Sequence, residues 1–310
     1  MKKDTLMFII NPASGGYKES VWEELVVLMD KNDKEFSYYK TKCIGDATRK
    51  VQDFIKDGYR HFVGIGGDGT ISEIANGFMM QNYVDYDELT LSAISSGTGN
   101  DWVRNYGQSS DLSVALMNIL NAPVRTQDIG LIHYYENGEH RRKYFLNAAG
   151  FGFDSQIIKS TKEMTASQRG HKMTYLYTLL KCLLSSKKIN FKITSEKVGF
   201  IINEKTLSIS VGNGKYTGGG MIQTPDADNS DGFLDTAVYG DIKKFFVIKN
   251  VNRLYDGTIK EAKNTHIYHF RSKEVNIEAP VQTICEIDGE LIGTGPYNIE
   301  IIKGALRVRM

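Results

Sequence analysis

The run Gly64-Ile65-Gly66-Gly67-Asp68-Gly69-Thr70 constrains this chain more than any other stretch. It follows His61-Phe62-Val63, which reads as a short buried strand, and it precedes Ile71-Ser72-Glu73-Ile74-Ala75-Asn76-Gly77, which reads as a helix. Glycines at a strand-to-helix turn let backbone N–H groups approach an anion, and a helix N-terminus favours negative charge. Asp68 inside such a loop would repel a bare phosphate. It makes sense when a cation stands between the two, so the residues point to a nucleoside triphosphate carried with Mg²⁺. The run also fits the dinucleotide pattern G-x-G-x-x-G, which expects an acid at the end of the next strand, about 20 residues on. Here Asp85, Asp87 and Glu88 come before the next apolar run, Leu89 to Ile94, and not after it.

Two further loops have the same form. Met7-Phe8-Ile9-Ile10 reads as a buried strand ending in Asn11-Pro12-Ala13-Ser14-Gly15-Gly16, and Leu91-Ser92-Ala93-Ile94 ends in Ser96-Gly97-Thr98-Gly99-Asn100-Asp101. Each is followed by a helical pattern. In an open parallel sheet, ligands bind outside the carboxyl ends of the strands. Polar, glycine-rich turns on one such edge, two of them carrying an Asp, make that edge the candidate binding cleft.

The rest of the chain sets bounds. Its 310 residues suffice for two domains, and a net charge of +1 gives no pull toward nucleic acid. No basic run is interleaved with aromatics as in a nucleic-acid groove. Cys43, Cys182 and Cys285 are scattered, which suits a reduced, cytoplasmic chain without a disulfide frame. Lys2-Lys3-Asp4 leads into a strand and not a signal peptide, and no apolar stretch is long enough to span a bilayer. Helical patterns are expected at residues 18–31, 45–56, 71–80 and 112–120. Beyond residue 122 strand-like runs dominate, at 144–148, 189–193, 200–202, 206–211, 234–238, 267–270, 275–277 and 297–308. The expectation is an α/β chain: a βα-alternating nucleotide-binding domain over residues 1–125, then an antiparallel, β-rich domain over 126–297.

Taken together, Asn11-Pro12-Ala13-Ser14-Gly15-Gly16, Gly66-Gly67-Asp68-Gly69-Thr70 with Glu73 and Asn76-Gly77, and Gly97-Thr98-Gly99-Asn100-Asp101 resemble the diacylglycerol kinase catalytic family. The small soluble bacterial lipid kinases are the nearest likeness. It continues through Asn147 to Asp154, Gly218-Gly219-Gly220, Asp231-Gly232-Phe233-Leu234-Asp235 and Asp288-Gly289-Glu290, so it covers nearly the whole chain. The chain departs from the family at Ser95-Ser96, where Pro-Leu is usual, and at Trp102, where Phe is commoner.

The resemblance implies an ATP-dependent lipid kinase, with the active site in a cleft between a diacylglycerol-kinase-like domain and a β-sandwich domain. Residues 298–310 would return to the first domain. It places ATP against Asn11, Pro12, Ala13, Ser14, Gly15, Gly66, Gly67, Asp68, Gly69, Thr70, Ile71, Ser72, Glu73 and Thr98, and Thr41 joins them as the residue that ends the second strand. Asp68 is the candidate for a contact to MgATP through water, and Asp101 is a second candidate or else the N-cap of the next helix. Glu290, beside an Asp-Gly turn, would on its own be a solvated surface residue. The resemblance makes it the general base that deprotonates the lipid hydroxyl. In segment 226–235, Asp228, Asp231 and the Phe233 carbonyl have a spacing that suits an oxygen-ligated Mg²⁺, the position of a structural Mg²⁺ in the likeness; without it the segment is an Asx-rich turn.

Residues 159–188 carry Lys159, Lys162, Arg169, Lys172, Lys181, Lys187 and Lys188 around an apolar stripe from Met173 to Leu184. Such a stretch either packs on the second domain or lies on the inner face of an anionic membrane, where the lipid substrate resides. Two alternatives stay open. An NAD kinase shares the Gly-Gly-Asp-Gly-Thr loop, but the Asp288-Gly289-Glu290 and Asn11-Pro12-Ala13-Ser14-Gly15-Gly16 motifs favour the lipid family. A lipid- or nucleotide-binding protein without catalysis would not need Asp68, Asp101 and Glu290 together. A homodimer is the commonest oligomer on general grounds.

Overall fold

Leu6-Met7-Phe8-Ile9-Ile10 is apolar without alternation, and all five side chains are buried, as expected of a strand covered on both faces. In the computed structural model, which describes residues 2–96, 99–162, 180–195 and 200–310, the chain divides into two units. The first holds Met1–Asp128 and Lys303–Met310, and the second Ile129–Ile302.

The first unit runs β1 (Leu6–Ile10), α1 (Glu19–Lys31), β2 (Phe36–Lys40), α2 (Asp46–Lys56), β3 (His61–Gly66), α3 (Asp68–Met80), β4 (Thr90–Ser95), α4 (Asp101–Arg104) and α5 (Leu112–Asn121). β1 pairs in parallel with β2 and β3, and β3 with β4. Arg307 and Val308 pair in parallel with Thr90 and Leu91 of β4. Trp22, Leu25 and Met29 of α1 and Leu116 and Ile119 of α5 pack with Phe8, Ile10, Val63 and Ile65 in one core. Burying side chains of this size contributes about 1.5–3 kcal/mol each.

The helical expectations at 18–31, 45–56 and 112–120 agree with α1, α2 and α5 to within a residue at each end. The third helix starts earlier than expected, at Asp68, and β3 runs on through Gly66 where the sequence suggests a turn. Close approach explains both differences. A Cβ at Gly64 would lie 2.4 Å from Ile71 Cδ1, and one at Gly66 would lie 2.3 Å from Thr70 Oγ1. The glycines let α3 press onto β3, and the turn itself contracts to Gly67, in extended backbone.

The second unit contains β5 (Arg125–Glu136, its first residues in the first unit), β6 (Glu139–Phe145), β7 (Ala148–Gly152), α6 (Phe153–Lys162), β8 (Ile189–Ser195), β9 (Phe200–Thr206), β10 (Ser208–Gly212), β11 (Tyr216–Thr217), β12 (Met221–Ile222), β13 (Leu234–Tyr239), α7 (Lys244–Asp256), β14 (Ile267–Ser272), β15 (Glu274–Glu278), β16 (Ile284–Ile287) and β17 (Glu290–Val308, its last residues in the first unit). Antiparallel pairing follows the order β14-β13-β10-β7-β16-β17, and β17 also pairs with β15, which pairs with β8 and then β9. Alternate residues face one core: Ile209 and Val211, Leu234 and Val238, Phe191 and Ile193, Val275 and Ile277. Leu207, Ala237 and Tyr239 face the other way, into a second cluster with Phe153, Ile157 and the Phe246–Val247 side of α7.

Two strand expectations meet a break: 206–211 is split at Leu207, between β9 and β10. Residues 144–148 are not a single strand: β6 ends at Phe145 and β7 begins at Ala148. The break occurs where Asp288 accepts the backbone N–H groups of Leu146 (2.7 Å), Asn147 (2.9 Å) and Ala148 (3.2 Å). Among the described residues no helix is long and apolar enough to cross a membrane.

Candidate active site

The loops after β1, β3 and β4 are tied to one another by hydrogen bonds. Asn11 Nδ2 donates to Thr70 Oγ1 at 3.1 Å, while its Oδ1 accepts the Ala13 N–H at 3.0 Å. Ser14 Oγ donates to the Ser96 carbonyl at 3.2 Å. Asp68 accepts the Trp102 N–H on Oδ1 at 2.9 Å and the Asp101 N–H on Oδ2 at 3.1 Å. The carboxylate therefore caps α4, and Asn100, in left-handed backbone, holds the N-cap position rather than Asp101. Asp101 is buried with Arg104 at 3.5 Å. Two N–H donors leave Asp68 lone pairs for a further electropositive partner. The Trp102 ring is fully buried, and its Nε1 donates to Gln127 Oε1 at 2.9 Å, so the larger aromatic carries its own polar partner.

Asn11, Ala13, Thr41, Thr70 and Glu73 line one cavity of about 190 Å³ with Lys42, Cys43, Ile44 and Ala47. Thr41 enters it at the end of β2, where its N–H donates to the Ile10 carbonyl at 2.8 Å. Glu73 does more than line the wall. Its oxygens accept the N–H groups of Gly45 (2.8 Å) and Ala47 (3.0 Å), which secures the start of α2. Pro12 and Gly15 are exposed in the loop after β1, Gly67 and Gly69 are partly buried at the start of α3, and Ile71 and Ser72 are buried, so their side chains are directed into the unit. Thr98 lies outside the described residues.

Glu290 lies in the second unit. Asp288 and Gly289, both at positive φ, form the two-residue turn between β16 and β17, and Ile287 pairs with Glu290 across it. The Asp288 grip on residues 146–148 and the Gly289 N–H bond to Glu286 Oε2 (3.0 Å) hold this hairpin. Lys143 Nζ donates to Glu290 Oε2 at 2.5 Å, and both side chains are mostly shielded from water. The pair was not legible in the sequence, because the partners stand 147 positions apart.

The 226–235 segment is an Asx-rich turn whose four carboxylates meet two cationic side chains, Lys260 and Arg271. Asp228 Oδ1 accepts the Ser230 N–H (3.0 Å) and hydroxyl (2.6 Å), and Asp231 Oδ1 accepts the Phe233 N–H at 2.9 Å. Asp231 Oδ2 pairs with the Arg271 guanidinium, which also reaches Asp235 Oδ2 at 3.1 Å, and Lys260 pairs with Asp226. Arg271 takes Asp231 Oδ2, so a divalent ion held by Asp228, Asp231 and the Phe233 carbonyl would share Asp231 with that guanidinium.

A residue that the sequence reading passed over is Asp154. It is partly buried at the edge of an apolar cavity lined by Phe153, Ile157, Leu207, Met221, Tyr239 and the inner side of α7. Burial pushes its carboxyl up to about 6, against hydrogen bonds from Ser208 and Gln223 that pull it down. Gln223 Nε2 donates to it at 3.3 Å. Of the basic stretch 159–188, residues 163–179, with Arg169, Lys172 and Met173, lie outside the described residues. Lys188 pairs with Asp241.

Residues 5–132 match the diacylglycerol kinase catalytic domain, and residues 147–310 match the YegS C-terminal NAD kinase beta sandwich-like domain. A protein of Alcanivorax borkumensis described as "Probable lipid kinase YegS-like" is 29% identical over 268 residues, 85% of this chain and 83% of that one. One of Staphylococcus carnosus described as "Putative lipid kinase" is 26% identical over 275 residues, 85% and 82% of the two chains. The fold is that of a crystal structure described as "a putative diacylglycerol kinase" from Bacillus anthracis, with a TM-score of 0.75, 24% identity and coverage of 100% and 98%. The chain belongs to the lipid kinase family that joins a diacylglycerol kinase catalytic domain to a YegS-type β-sandwich domain.

Proposed function

We propose that this protein transfers the γ-phosphate of ATP to the free hydroxyl of diacylglycerol, giving phosphatidate and ADP. The observation that carries the reading is the cavity of about 190 Å³ at the carboxyl ends of β1 and β2, lined by Asn11, Thr41, Thr70 and Glu73 and adjoining the Asp68 loop. It has the polar wall and the helix N-terminus that a nucleotide needs. Mg²⁺ suits the remaining lone pairs of Asp68, and when bound it would neutralise phosphate charge. Glu290 takes the hydroxyl proton, the hydroxyl oxygen forms its bond to the γ-phosphorus, and the bond from that phosphorus to the departing ADP oxygen breaks. Lys143 orients the base. The apolar cavity beside Asp154 supports a hydrocarbon-bearing acceptor over a water-soluble one.

The test offers purified protein γ-labelled ATP with diacylglycerol, monoacylglycerol, sphingosine or NAD in separate reactions. Label in phosphatidate is the expected outcome. Label on another lipid keeps the chemistry and changes the acceptor, and label on NAD overturns the reading.

A further inference from the structure

α7 has two unlike sides. Phe246, Val247, Val251 and Leu254 pack inward, and Phe246, Val247, Asn250 and Leu254 wall the apolar cavity beside Asp154. Phe245, Ile248, Lys249, Asn252 and Tyr255 share the outer side, at helical spacing. Phe245 is 74% exposed, Ile248 37% and Tyr255 41%. Leu184, 66% exposed, adjoins the first turn, because Lys244 Nζ donates to its carbonyl at 2.7 Å. Lys243 and Lys249 beside and on this strip, and Lys181 and Lys187 three residues either side of Leu184, are exposed, and among the described residues none has a carboxylate within ion-pair distance. The nearby acids are engaged: Asp241 pairs with Lys188, and Asp256 accepts the Thr258 N–H and hydroxyl.

Exposed apolar side chains ringed by unpaired lysines match one kind of partner, a bilayer surface carrying anionic headgroups. A second copy would bring the same lysines face to face. A nucleic acid would leave Ile248 and Leu184 without apolar contacts. We propose that the outer face of α7, with Leu184, docks this protein on an anionic lipid surface while the inner face of the same helix walls the apolar cavity. The proposal rests on the lipid kinase reading for its purpose and not for its geometry.

The test is co-sedimentation of the full chain with phosphatidylcholine vesicles, with and without phosphatidylglycerol, at low and high salt. Wild type is expected on the anionic vesicles only, less so at high salt. Phe245→Ser with Ile248→Ser should lower the partition coefficient about tenfold or more. Lys243→Glu with Lys249→Glu should lower it comparably at low salt and remove its salt dependence. Both pairs should phosphorylate a dispersed short-chain diacylglycerol like wild type, which also reports intact folding. Absence of wild-type binding, equal binding to neutral vesicles, or retention by both double variants would overturn the proposal, as would self-association of wild type that Phe245→Ser with Ile248→Ser abolishes. Vesicle binding as expected, with no phosphate transfer to any lipid, would sink the kinase reading and leave the surface standing.

Discussion

Asp68 Oδ1 accepts the backbone N–H of Trp102 at 2.9 Å, and this bond ties the start of α3 to the helix after β4. With the Asp101 N–H on Oδ2, the carboxylate has a structural task as well as its proposed role toward MgATP. The two tasks separate by substitution. Asp68→Asn keeps one acceptor oxygen and should cost about 1 kcal/mol of stability, while Asp68→Ala should cost about 2. Both should lower phosphate transfer about a hundredfold or more, measured as kcat beside urea unfolding.

Lys143 should matter to turnover far more than to folding. The Lys143–Glu290 pair is partly exposed, so its contribution to stability is under about 1 kcal/mol. Lys143→Met should lower kcat about tenfold by freeing the base, with little change in melting temperature or in the KM for ATP.

Glu73 should behave in the opposite way. It secures the N-terminus of α2 through Gly45 and Ala47, so Glu73→Ala should destabilise the protein by about 1–2 kcal/mol. Glu73→Gln retains an acceptor oxygen and should recover part of that loss. Urea unfolding of the two variants checks this.

Asp154 sets a pH dependence with a defined sign. Its carboxyl is raised from 3.8 to about 6 by burial. Below 3.8 the group is neutral whether the chain is folded or not; between 3.8 and about 6 the unfolded chain ionises and the folded one does not, so stability falls as pH rises. Above that window the penalty is constant at about 3 kcal/mol. Asp154→Asn should therefore stabilise the protein by up to about that amount at neutral pH, with the gain fading toward about pH 4. Unfolding at both pH values decides it.

Arg271 supplies the positive charge at the Asp231 and Asp235 carboxylates, so chelation of divalent ions should leave the melting temperature of the nucleotide-free protein unchanged. Arg271→Ala should destabilise it, and Mg²⁺ should then restore part of the loss. Calorimetric scans with and without chelator test both statements.

The parallel edge was legible because β1, β3 and β4 end in loops whose composition announces them. The extent of β3 was not, since glycine reads as a turn until Ile71 and Thr70 are seen to need the space at Gly64 and Gly66. Strand 144–148 was misread because the break comes from Asp288, more than a hundred residues away. The roles of Lys143 and Glu73 also depend on partners distant in sequence, which local periodicity does not encode. α7 escaped notice because it is apolar on both sides, and that mixture is what gives it two faces to use.

The decisive measurement follows labelled phosphate from ATP into phosphatidate with wild type, Glu290→Gln and Asp68→Asn side by side. Wild type should transfer the label, and both variants should lose about a hundredfold or more while ATP still binds to Glu290→Gln, as a general base at Glu290 requires. Transfer by Glu290→Gln at the wild-type rate would contradict it.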